Sequence, residues 1–120
     1  VARLAAPLVE ELRSAADPTI AAVFDVIERR YPEQLSLRDV SDEIGLTPGY
    51  LTTLVRQHTG RTVVDWITER RMVAARRLLG EAELSIADVG RRVGYPDPAY
   101  FARIFRRHHG ISAREWRSAP

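Results

Sequence analysis

Apolar residues recur along this chain at helical spacing, and no stretch alternates regularly enough to read as a strand. Ile20, Val23, Phe24, Ile27 and Tyr31 fall at 0, +3, +4, +7 and +11, which places them on one face of a helix. Asp17-Pro18 supplies its start: an N-cap acceptor, then a proline whose missing N–H costs nothing at the first helical position. Pro32 stops it. Upstream, Leu4, Leu8 and Leu12 at i+4 spacing make residues 1–16 a short amphipathic helix or the tail of a linker. Further on, Val63, Trp66, Ile67, Ala74, Leu78 and Leu79 stripe a long helix over 62–79. About 18 residues at about 1.5 Å each make it roughly 27 Å long.

Four hydroxyls stand three residues before a carboxylate: Ser36 with Asp39, Thr62 with Asp65, Ser85 with Asp88, and Ser112 with Glu115. This is the capping-box pattern that opens a helix. Ser36 to Ser85 is 49 residues and Thr62 to Ser112 is 50, a spacing that indicates an internal repeat. Leu37, Val40, Ile44 and Gly45 match Ile86, Val89, Val93 and Gly94 at offset 49. Leu51, Leu54, Val55, Arg56, His58, Gly60 and Trp66 match Phe101, Ile104, Phe105, Arg106, His108, Gly110 and Trp116 at offset 50.

Each copy has the same anatomy. A short helix ends at a glycine, and after a tight turn a second helix opens on a cap and a proline, Thr47-Pro48 or Asp97-Pro98. That is a helix-turn-helix, the unit that lays its second helix in the DNA major groove. The expected fold is all-α, with about seven helices. Residues 1–16 form a lead-in segment, 17–61 a first helix-turn-helix subdomain, 62–80 a linker helix and 81–120 a second subdomain. A rigid linker of this length can hold two reading helices about one DNA turn apart, near 34 Å.

A formal net charge of +2 looks too small for a nucleic-acid binder. It averages two unlike halves, however: residues 1–60 carry 6 Arg and 9 acids, residues 61–120 carry 12 Arg and 7 acids. A basic second half is the footprint of a phosphate-facing surface. All 18 basic residues are arginine, whose planar fork suits guanine and phosphate. The absence of cysteine excludes disulfides, a Cys-ligated zinc site and a thiol nucleophile, and fits a reducing cytoplasm. No apolar run approaches a membrane span, and the N-terminal stretch lacks the apolar core of a signal peptide. A catalytic role fails on inventory: the repeated serines read as caps, and no glycine-rich phosphate loop or apolar-flanked carboxylate pair is present. His58, His108 and His109 read as helix C-terminal residues rather than metal ligands, and no cofactor is expected. Trp66 and Trp116 read as core.

The stretch SIADVGRRVGYPDPAYFARIFRRHHGISAREWR, residues 85–117, resembles the DNA-binding domain of AraC/XylS-type transcription regulators. The match runs through Gly94-Tyr95, Tyr100-Phe101, Phe105-Arg106-Arg107, Gly110, Ser112 and Trp116-Arg117. Arg71, Ala74, Ala75, Leu78 and Leu79 resemble the family's linker helix, and the likeness covers about residues 18–118. Four positions depart. Gly90 stands where the family usually has alanine, a loss of helix propensity of up to about 1 kcal/mol. Ala99 and Ala102 replace frequent polar residues, and Ala113 a common proline.

The resemblance implies sequence-specific binding of double-stranded DNA for transcription regulation. Base contacts are expected from Gly49, Thr52 and Thr53 in the first reading helix, and from Ala99, Ala102 and Arg103 in the second. The threonines can donate a hydrogen bond or pack a methyl against thymine, and Arg103 can bond guanine bidentately. Backbone contacts are expected from Ser36, Arg38, Thr47, Arg56, Gln57, Arg61, Ser85, Arg106 and Arg107, with Arg91 and Arg92 as further candidates. Tyr50, Leu51, Leu54 and Val55, and likewise Tyr100, Phe101, Ile104 and Phe105, are expected to point inward. Arg71 is expected in a structural ion pair. Implied partners are DNA, RNA polymerase and an upstream sensor or dimerisation domain. The alternative is a helical protein–protein interaction module that does not bind DNA.

Overall fold

The computed structural model describes residues 17–81 and 83–119. The leucine-spaced segment over 1–16 lies outside them. The described residues form seven helices and no strand: α1 (Pro18–Arg30), α2 (Leu37–Ile44), α3 (Pro48–Thr59), α4 (Val63–Leu79), α5 (Ile86–Val93), α6 (Pro98–His109) and α7 (Ala113–Ser118). The fold is all-α. It divides into two compact units inside α4, between Ile67 and Thr68, and residues 31–34 belong with the second unit.

In the first unit the α1 stripe is buried as its spacing predicts, through Ile20, Val23 and Ile27, and Val26 joins it. Leu35, Val40, Leu51, Val55, Val63 and Ile67 complete the core. Phe24 meets Trp66 edge-on at 5.3 Å, and the Trp66 indole N–H donates to Thr59 Oγ1 at 2.8 Å.

The second unit is built on Met72, Ala74, Ala75 and Leu79 of α4, Val89 and Val93 of α5, and Phe101 and Phe105 of α6, with Tyr95 and Ala113. Gly90 is where α5 and α6 come closest. A Cβ there would lie 2.8 Å from Phe101 Cδ2 and 2.9 Å from its Cγ. The glycine read as a weakness in α5 is thus the position that lets the Phe101 ring seat. Trp116 departs from expectation. It is 37% exposed, because α7 is short and its ring meets Phe105 edge-on at 6.1 Å from the rim of the core.

Arg71 is buried, but its partners are not carboxylates. Its Nε donates to the Tyr31 carbonyl and its Nη2 to the Glu33 carbonyl, both at 2.8 Å, and its guanidinium lies 4.9 Å from the Tyr95 ring centroid. Residues 31–34 form no helix, so their carbonyls need donors, and a planar fork can serve two at once. Gly94, at φ 111°, closes α5 against this group; a Cβ there would lie 2.7 Å from both Arg71 Nε and the Tyr31 oxygen.

Three of the four expected capping boxes close in both directions, at Ser36, Thr62 and Ser112. The fourth is half a box. Ser85 Oγ accepts from the Asp88 N–H at 3.0 Å, while the Asp88 carboxylate turns to Arg91, one turn along α5. Ion pairing with a guanidinium competes with the reciprocal cap.

Candidate nucleic-acid interface

Each unit offers a second helix whose core face is narrow. In α3 the buried pair is Leu51 and Val55, with Leu54 half-buried. Gly49, Thr53, Arg56 and Gln57 are exposed, and Thr52 is half-buried. Thr47 caps the helix, its Oγ1 accepting from the Tyr50 N–H at 3.3 Å. Thr53 Oγ1 donates to the Gly49 carbonyl at 3.2 Å. Its proton is therefore engaged, which leaves a methyl and acceptor lone pairs facing outward.

In α6 the buried pair is Phe101 and Phe105, with Ile104 half-buried. Ala99, Ala102, Arg103, Arg106 and Arg107 are all exposed. Asp97 opens the helix, its carboxylate accepting from the Ala99 N–H at 3.0 Å. The sequence pattern mistook one residue type in both units. Tyr50 is 57% and Tyr100 45% exposed. Each precedes the first buried residue of its helix by one position, about 100° round the axis, at an end where the core is already closing. Tyr100 meets the buried Tyr95 edge-on at 5.7 Å, and the Arg103 guanidinium lies 5.7 Å from the Tyr100 ring centroid. The i, i+3 spacing of Tyr100 and Arg103 was the available signal for this pair.

The helix N-termini differ. At α2 the Ser36 hydroxyl and N–H both donate to Asp39. Those bonds hold the Asp39 carboxyl below the usual range, so a fixed negative charge occupies this end. At α5 the Asp88 charge is paired with Arg91, and Arg92 is exposed. The α5 end is thus the better suited to a phosphate. Arg38 is exposed, whereas Arg61 is half-buried with its guanidinium 4.6 Å from the Trp66 ring centroid. Arg29 and Arg30 are both tied to Glu43.

The three histidines close the C-terminal ends of the second helices. His58 pairs with Asp17 at 3.4 Å and His108 with Glu69 at 3.1 Å. His109 stacks on Phe105 at 3.9 Å, and its Nδ1 lies 3.0 Å from the Phe105 carbonyl. Arg76 Nη1 lies 2.9 Å from its Nε2, which must therefore accept, and the ring is neutral. Burial, and the nearby Arg76 charge, push its pKa below the ordinary value. No cluster of three metal-ligating side chains occurs among the described residues.

A family model described as a helix-turn-helix domain matches residues 40–119. The arabinose operon regulatory protein of Escherichia coli is 37% identical over 82 residues, 68% of this chain and 28% of that protein. An AraC-type transcriptional regulator structure from Chromobacterium violaceum superposes with a TM-score of 0.78 at 26% identity, covering 89% of this chain and 98% of that one. The chain belongs to the AraC/XylS family. The DNA-binding domain of AdpA, a global transcriptional factor solved with a target DNA, gives a TM-score of 0.76 at 25% identity, covering 85% of this chain and 91% of that one. This AraC/XylS chain spans about a third of the length of the curated relatives it matches. No helix among its described residues is long and apolar enough to cross a membrane.

Proposed function

We propose that the chain binds double-stranded DNA in a sequence-specific manner and regulates transcription, with α3 and α6 entering successive major-groove segments. The observation that carries this reading is the construction of α6. Two fully buried phenylalanines fix the helix, and Arg103, Arg106 and Arg107 project from its exposed side. The structure of AdpA's domain with a target DNA supports it. Arg103 reads a guanine, Thr52 and Thr53 give short-range contacts beside Gly49, and Ala99 and Ala102 give apolar ones. Arg106, Arg107, Arg56, Gln57, Arg38 and Arg61 reach phosphates, joined by Thr47 and the Ser85 helix end. Ser36 is the weakest of the backbone candidates, since Asp39 fills that end.

In this reading residues 17–61 and 81–120 are the two reading subdomains and 62–80 the linker helix. The chain is a binding module, not an enzyme, and acts in the cytoplasm with RNA polymerase and an upstream sensor or dimerisation domain. Fluorescence anisotropy with a random duplex tests it. Binding at low salt should weaken steeply as salt rises, and Arg106→Ala and Arg107→Ala should each reduce the slope by about one. A protein-interaction module would give no binding at micromolar protein.

A further inference from the structure

Within the second unit, cations and rings alternate from the core to the surface. Arg71, anchored on the Tyr31 and Glu33 carbonyls, lies against Tyr95. Tyr95 is 5% exposed and meets Tyr100 edge-on. Tyr100 carries the Arg103 guanidinium, and both side chains are exposed. A 5.7 Å separation is within the about 6 Å reach of a cation–π attraction.

From this arrangement we infer that Tyr100 is a positioning residue, which holds the Arg103 guanidinium in place for a guanine edge. The inference rests on the proposed role of Arg103 in reading DNA. An arginine on an exposed helix face otherwise samples many rotamers, and fixing it in a bidentate geometry costs side-chain entropy. A ring one helical turn away restricts that freedom before DNA arrives. The ring is itself restricted, because the buried Tyr95 supports it from below. In the first reading helix, α3, the residue three positions after Tyr50 is Thr53, whose hydroxyl turns back to the Gly49 carbonyl. Discrimination of a guanine is therefore concentrated in α6.

The test begins with selection of bound duplexes for the wild-type chain. Competition binding on singly substituted duplexes then follows for Arg103→Ala, Tyr100→Ala, Tyr100→Leu and Tyr100→Phe, with thermal melting to verify folding. Arg103→Ala should flatten preference at one base pair. Tyr100→Ala and Tyr100→Leu should each lower discrimination at that same base pair about two- to five-fold and leave other positions unchanged. Tyr100→Phe, which keeps the ring, should retain it. The double variant Arg103→Ala with Tyr100→Ala should be no worse at that position than Arg103→Ala alone.

Intact discrimination in folded Tyr100→Ala and Tyr100→Leu chains would overturn the inference, as would an equal loss at every position. A Tyr100→Phe chain as impaired as Tyr100→Ala would overturn it too, by assigning the effect to the hydroxyl. Failure of the wild-type chain to prefer any duplex overturns the proposed function and this inference together. A base pair that depends on Arg103 but not on Tyr100 overturns this inference alone.

Discussion

Gly90→Ala sets two opposing effects against each other, and their magnitudes decide the sign. Replacing a glycine inside a helix by alanine gains about 1 kcal/mol of intrinsic propensity. Against that, the new Cβ would stand 2.8 Å from Phe101 Cδ2, where carbon atoms settle at about 3.5–4.0 Å. The near end of the Phe101 side chain is also too close, with Cβ at 3.1 Å, so the ring cannot simply rotate aside. Phe101 is fully buried, with Tyr95 at 5.9 Å and Phe105 at 6.0 Å, and a shift must propagate to both. Overpacking of this kind costs about 1–3 kcal/mol. The net expectation is a loss of up to about 2 kcal/mol, read in urea as a lower midpoint with an unchanged slope. In a Phe101→Ala background the two closest atoms, Cδ2 and Cγ, are gone, and Gly90→Ala should there be neutral or stabilising. The coupling between the two sites is then at least about 1 kcal/mol. A higher midpoint for Gly90→Ala in the wild-type background would refute the close approach of α5 and α6.

Other perturbations test the supports of the second unit. Arg71→Ala leaves the Tyr31 and Glu33 carbonyls without their donor and should cost about 2–4 kcal/mol by urea unfolding; Arg71→Lys, with no fork, should recover only part of it. His109 is neutral in the folded chain, with its pKa below the unfolded value of about 6.5. Between the two values the unfolded chain binds more protons. The stability from this site is therefore complete above about pH 6.5 and is lost as pH falls through the folded pKa. Urea midpoints taken from pH 7.5 to pH 5 should fall, and His109→Gln should remove that part of the slope; an unchanged slope in the variant would exclude His109 as its source.

Much of the fold was legible because its signals were local. The proline starts at Pro18, Pro48 and Pro98, the glycine ends, and the 49- and 50-residue offsets placed every helix from α1 to α7. Distances across the core were not legible. Helical periodicity cannot tell Tyr50 from Leu51 when both are apolar and adjacent. It puts both on the core side, yet one is exposed and the other fully buried. Arg71 could be placed near an apolar stripe, but whether its partner was a carboxylate or a carbonyl depended on where residues 31–34 return, a contact 40 residues away in sequence. Gly90 carried the same limit: a propensity scale scores one position, while its meaning lay in Phe101. In the candidate interface, spacing separated the exposed arginines of α6 from its phenylalanines. It missed the competition at α5, where Asp88 chooses Arg91 over its cap.

Selection of bound duplexes from a random pool shows directly whether α3 and α6 read DNA sequence. An enriched motif is expected, with two blocks of preferred positions about one helical turn apart. The block read by α6 should hold a guanine whose enrichment disappears in Arg103→Ala. A pool that stays random after repeated selection, or a motif that Arg103→Ala leaves unaltered, would contradict this expectation.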